Sequence, residues 1–182
     1  MKIVLTGVET NNKGAELMLY AILQEIERRH PHAKVFISKD RVSCGIDSII
    51  TSLDLRCIPM RELEKKCHLD GIYRVLHLPY KIMPHKISLG KVDYYLDGSG
   101  FRYSDQFLMP FKYISQVEEQ LRTLKNEGTR VVLLPQAFGP FEKAESKKMI
   151  SVLSDNASVI MPREKVSLEY LKKTGVVDMS KV

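Results

Sequence analysis

Two short apolar runs, Lys2-Ile-Val-Leu-Thr6 and Lys34-Val-Phe-Ile-Ser38, stand on either side of a single helical repeat, and this order narrows the fold more than any other feature. Between them Leu17, Leu19, Ile22, Leu23 and Ile26 recur at helical spacing. That period predicts a helix over residues 15–29, closed off by Pro31. Two strands joined through a helix leave no room for a hairpin. They run parallel, through a right-handed crossover.

The alternation returns further along. Residues 92–96 read as a strand, 106–126 as a long helix with Gly128 as its stop, and 130–134 as a strand. The apolar run of that strand is expected where both sheet faces are covered. A helix over 142–153, a strand over 157–161 and a last helix over 165–173, ended by Gly175, complete the series. Residues 46–58 hold at least one short strand. Residues 59–90 read as a helix near 61–75, then a loop or lid carrying Pro79, Pro84, Arg74, Lys81, His85 and Lys86. Strands alternating with helices at this spacing predict a doubly wound, mainly parallel α/β sheet with helices on both faces. At 182 residues the chain forms one domain.

Bulk chemistry removes several function classes. Hydrophobic residues make up 44% and charged residues 27%, a globular mix. No apolar run approaches the ~18 residues of a membrane span. The amino terminus lacks the long apolar stretch and small-residue cleavage site of a signal peptide, so the expected location is the cytoplasm. Cys44, Cys57 and Cys67 are an odd number at irregular spacing, which fits a reducing compartment. Cys67-His68 has no CxxC or HxxxH partner, so no metal is expected. The net charge is +6, but the cations are spread along helices and alternate with Glu, as in Glu25-Ile26-Glu27-Arg28-Arg29. Without a dense basic stripe, nucleic acid is not an expected partner.

In doubly wound sheets, ligands bind outside the carboxyl ends of the strands. Four segments lie there. In the first, after residue 6, Asn11, Asn12, Lys13, Gly14 and Glu16 surround a helix N-terminus, an anion-friendly position. Neither GxGxxG nor GxxxxGK[ST] is present. The plainer account has Asn12 capping the helix and Gly14 allowing close packing on the strand. The second is Asp97-Gly-Ser-Gly-Phe-Arg-Tyr-Ser-Asp105-Gln106, where Gly98 and Gly100 beside Ser99 permit close approach to a ligand. It lacks the GxSxG spacing of a nucleophile elbow. Asp97 and Asp105 can accept hydroxyl hydrogen bonds or serve as a base, or Asp105 caps the helix that follows. In the third, Leu134-Pro-Gln-Ala-Phe-Gly-Pro-Phe141, Gln136 offers a donor and an acceptor. Phe138 and Phe141 either wall a pocket or cover the sheet. The fourth is Arg163-Glu-x-x-Ser167, where Arg163 meets an anion bidentately or pairs with Glu164.

Taken together, these four ordered motifs, Thr6–Met18, Asp97–Gln106, Leu134–Phe141 and Arg163–Ser167, resemble the polysaccharide pyruvyl transferase family. The resemblance implies a two-domain, glycosyltransferase-B-type enzyme with a cleft between Rossmann-like halves, this chain being the N-terminal half and inactive alone. It implies pyruvyl transfer from phosphoenolpyruvate, a substrate rather than a cofactor, to a saccharide or lipid-linked saccharide in cell-surface polysaccharide synthesis. Separately, the basic residues of 59–90 are expected to allow peripheral contact with an anionic membrane that carries a lipid-linked acceptor. Lys13 and Arg163 are then the candidates for phosphate or carboxylate, with Asn11, Asn12, Gly14, Glu16, Ser99 and Gly100 lining the substrate. Asp97, Asp105 and Gln136 would orient acceptor hydroxyls, one aspartate serving as general base. A sugar-nucleotide glycosyltransferase and a non-catalytic sugar- or anion-binding module remain as alternatives.

Overall fold

The computed structural model describes residues 1–8, 12–39, 56–59 and 91–182. It divides into two compact units, Met1–Val92 and Asp93–Val182. The helix and lid expected over residues 59–90, Asn11, Cys44 and the Cys67-His68 pair lie outside the described residues.

In the first unit, β1 (Lys2–Thr6), α1 (Lys13–Arg29), β2 (Lys34–Lys39) and β3 (Arg56–Pro59) follow in order. β1 pairs with β2 in parallel, Ile3 opposite Val35, and β2 pairs with β3 in parallel, Ile37 opposite Cys57. The expected crossover is therefore present, and β3 falls in the stretch where a short strand was expected. Ile3, Val4, Leu5 and Phe36 are buried, as a doubly covered strand requires. The helix begins at Lys13 rather than Ala15, because Asn12 caps it: its side chain accepts the Gly14 N–H at 2.8 Å. Leu19 is buried, but Leu17 is 69% exposed, so the apolar stripe is narrower than its spacing implied.

The second unit runs β4 (Tyr94–Asp97), α2 (Phe111–Asn126), β5 (Arg130–Gln136), α3 (Ala144–Asn156), β6 (Val159–Pro162) and α4 (Lys165–Thr174). β5 lies between β4 and β6, parallel to both. Every described strand pair in the chain is parallel, which puts the protein in the doubly wound α/β class. Val131, Leu133, Ile150, Leu153, Ile160 and Leu171 form a buried core. Lys148 and Glu118, 3.3 Å apart, link α3 to α2. Gly175, at φ 67°, ends α4 as expected.

One boundary differs by five residues. α2 starts at Phe111, not at residue 106, since Pro110 holds φ −56° and ψ 145° at the cap. The ring also biases Met109 away from helical geometry. The freed residues 98–110 become a long loop at the carboxyl end of β4. At the other strand, β5 continues through Pro135 to Gln136, with a register irregularity between Leu133 and Gln136.

Candidate functional site

β4 delivers Asp97 buried at the end of the strand. One carboxylate oxygen accepts the Ser99 N–H at 2.9 Å and the Ser99 hydroxyl, and the other accepts the Tyr103 hydroxyl. A carboxylate offers about four acceptor positions, so one remains. Gly100, at φ 76°, then turns the chain so that Phe101 N donates to Ser99 O at 2.9 Å. Burial, and then the neighbouring Asp97 charge, push the Tyr103 hydroxyl well above its usual pKa. Tyr103 thus keeps its proton at neutral pH and donates it to the Asp97 carboxylate in a hydrogen bond.

The loop after β5 runs alongside this one. Ala137 N donates to Gly100 O at 2.8 Å, Gly139 N to Tyr103 O at 3.0 Å, and Asp105 N to Pro140 O at 2.9 Å. The rings of Tyr103 and Phe138 stack with centroids 6.4 Å apart. Phe138 is 2% exposed and Phe141 is also buried, so both cover the sheet rather than wall an open pocket. Gly139 has φ 80°, and a Cβ there would stand 2.6 Å from Tyr170 Cγ. Only glycine fits. Gln136 is 0% exposed, and neither its Oε1 nor its Nε2 has a hydrogen-bond partner.

Asp105 does not cap the helix that follows it. Its carboxylate instead accepts the Glu142 N–H at 2.7 Å, the Lys143 N–H at 3.2 Å and the Ser146 hydroxyl, at the N-terminus of α3. A negative charge is favourable at that helix end. Desolvation raises the carboxyl pKa, but the Ser146, Glu142 and Lys143 hydrogen bonds outweigh it and hold the value below the usual carboxylate range.

Arg163 is exposed and pairs through Nε with Glu164 at 3.1 Å, the plainer of its two expected arrangements. Its backbone N–H donates to Gln136 O at 3.0 Å. Glu164 also accepts the Ser167 hydroxyl, whose oxygen receives the Phe138 N–H at 2.7 Å. A chain of contacts therefore connects the Arg163 guanidinium to the β5 loop.

The first unit holds the remaining candidates. Asn12 makes the cap described above. Lys13 Nζ lies 2.7 Å from Glu16 Oε2, and that hydrogen bond and charge raise the lysine pKa. Gly14 is exposed and, among the described residues, a Cβ there would meet Asn12 Oδ1, at 3.2 Å, and no strand, so close packing on a described strand is not its role. Among the described residues, no three His, Cys, Asp or Glu gather where a metal could bind, and no helix is long and apolar enough to cross a membrane.

Asp97, Ser99, Gly100, Asp105, Gln136 and Arg163 are thus joined through two stitched loops and the start of α4. Sequence reasoning missed Tyr103, Ser146 and Ser167 as the partners that fix them. Tyr103 and Ser167 stood inside the quoted motifs, whereas Ser146 carried no signal. No curated protein and no solved structure matches the chain. The family model described as polysaccharide pyruvyl transferase matches residues 12–181, a span that includes every one of these residues, and the chain belongs to that family.

Proposed function

We propose that the protein transfers the pyruvyl group of phosphoenolpyruvate to a saccharide as a ketal. The match to the transferase family over residues 12–181 carries this reading. In the reaction C3 of the enolpyruvyl group gains a proton and becomes a methyl, two sugar oxygens bond to C2, and inorganic phosphate leaves. The two protons lost by the sugar balance the one on C3 and the one on phosphate.

The site chemistry supports this assignment. Arg163 has only Nε engaged by Glu164, and its terminal amino groups suit a carboxylate or phosphate. In the Met1–Val92 unit, considered by itself, Lys13 is an exposed cation. Asp97 and Asp105 each accept three hydrogen bonds and so each retain one acceptor position; Asp97 is the candidate general base toward a sugar hydroxyl, because Asp105 is committed to the N-terminus of α3. The reaction belongs in the cytoplasm, where phosphoenolpyruvate is made.

Release of inorganic phosphate from phosphoenolpyruvate in the presence of candidate saccharides tests the proposal. Release that depends on the saccharide is expected. Turnover of a nucleotide sugar, with no phosphate released from phosphoenolpyruvate by any saccharide, would overturn it.

A further inference from the structure

Gln136 combines complete burial with two unmet hydrogen-bonding atoms. An orphaned buried amide destabilises the free protein, and a ligand that meets both atoms removes that cost on binding. The ligand must donate to Oε1 and accept from Nε2. Phosphoenolpyruvate at neutral pH offers carboxylate and phosphate oxygens, acceptors only. A sugar hydroxyl both donates and accepts.

An independent feature lies one hydrogen bond away. Ala137 N donates to Gly100 O at 2.8 Å, which sets the residue after Gln136 beside the residue before Phe101. Phe101 is 48% and Phe107 40% exposed, with ring centroids 5.4 Å apart and planes tilted by 57°. Exposed aromatic faces suit the C–H face of a pyranose ring. Residues 93–182 carry 13 Lys and Arg against 12 Asp and Glu, so this unit has little net charge to draw it to an anionic membrane.

We infer that the Gly100–Ala137 junction is the acceptor subsite, where Gln136 reads a sugar hydroxyl and the Phe101–Phe107 pair carries the ring's C–H face. The inference rests on the transfer reading above. Gln136 is covered in the free protein, so the sugar reaches it by displacing the residues over it.

The test compares Gln136→Leu, Gln136→Met, Phe101→Ala and Phe101→Trp in the whole protein, with saccharide and phosphoenolpyruvate KM and Tm as readouts. Gln136→Leu should raise the saccharide KM roughly tenfold or more, leave the phosphoenolpyruvate KM unchanged, and hold or raise the Tm. Gln136→Met should behave alike, so one of the two suffices if the other fails to fold. Phe101→Ala should raise the saccharide KM several-fold and Phe101→Trp restore it. A lowered Tm with unchanged KM in both Gln136 variants would make the amide structural and overturn its role. Loss of binding to phosphatidylcholine–phosphatidylglycerol vesicles by Phe101→Ala, at unchanged saccharide KM, would make the aromatic pair a lipid contact instead. If the wild type releases no phosphate, saccharide titration by calorimetry separates the two ideas. Binding by wild type and not by Gln136→Leu keeps the subsite while the transfer reading falls, and equal binding by both overturns the subsite.

Discussion

At the start of α1, Asn12 reaches Gly14 and Lys13 reaches Glu16, so the polar groups there satisfy one another within four residues of chain. In the loops after β4 and β5 the partners lie far apart in sequence: Asp105 holds Glu142 and Lys143, and Ser167 holds Phe138. The first arrangement is exposed and tolerant. In the second, the Ser167–Phe138 bond is buried while the Asp105 bonds to Glu142 and Lys143 stay exposed; it depends on three segments meeting and still leaves one buried amide unmet. Both follow parallel strands, so position alone does not distinguish a helix cap from a built site. The length of chain between partners does.

Glycine substitution should break the two regions apart most sharply. At Gly139 a Cβ would collide with Tyr170 and the backbone sits at φ 80°. Gly139→Ala should cost roughly 3 kcal/mol or more, the sum of strain and overpacking. At Gly14 the neighbouring atom is Asn12 Oδ1 at 3.2 Å, in a helix that prefers alanine. Gly14→Ala should stay within about 1 kcal/mol of neutral. Chemical denaturation of both variants measures the contrast, and comparable losses at the two glycines would erase it.

This difference also explains what the sequence revealed. Period and strand length exposed β1, α1, β2 and β5, because each follows from side chains a few positions apart. The Asn12 cap was legible for the same reason. The start of α2 was misplaced by extending a helical period over Pro110, a local signal that outranks periodicity. Capping of the helix nearest in sequence was one of two readings of Asp105, although its partners stand 37 and 38 residues on. Phe138 and Phe141 were visible as aromatics, but burial is a property of the fold: Phe138 stacks on Tyr103, far from it in sequence. The exposed Phe101 and Phe107 drew no attention for the converse reason: nothing local marks a ring as uncovered.

Cap removal sharpens the contrast at a smaller scale. Ser167→Ala strips the buried Phe138 N–H of its acceptor and Glu164 of a donor. A loss of about 1–3 kcal/mol is expected, since a buried amide is left unmet. Asn12→Ala removes a cap whose N–H can turn to water, and should cost about 1 kcal/mol. An equal or larger loss at Asn12 would mean that the exposed cap holds its region as firmly as the buried relay does.

Acidification separates the regions through Asp105. Its folded-state pKa is depressed, so its contribution is present above the unfolded-state value of about 3.9 and fades as pH falls through the lower folded value. Asp105→Asn should therefore lower the Tm at neutral pH and flatten the decline in Tm below about pH 4. A variant with the wild-type acid slope would show that the α3 N-terminus does not depend on this charge.

Lys13 carries the smallest expected effect on stability and the most informative one on function. Its side chain is 88% exposed, and its ion pair with Glu16 is a surface contact of a kind that adds little to folding. Lys13→Ala should leave the Tm unchanged. If the ammonium also meets the donor's carboxylate or phosphate, the phosphoenolpyruvate KM should rise roughly tenfold, and the rise should shrink as salt increases. The saccharide KM should stay constant, in contrast to the Gln136 variants. That pattern would give the tolerant, locally satisfied region the donor and the buried, long-range region the acceptor. An unchanged phosphoenolpyruvate KM would instead reduce the start of α1 to a capped helix end.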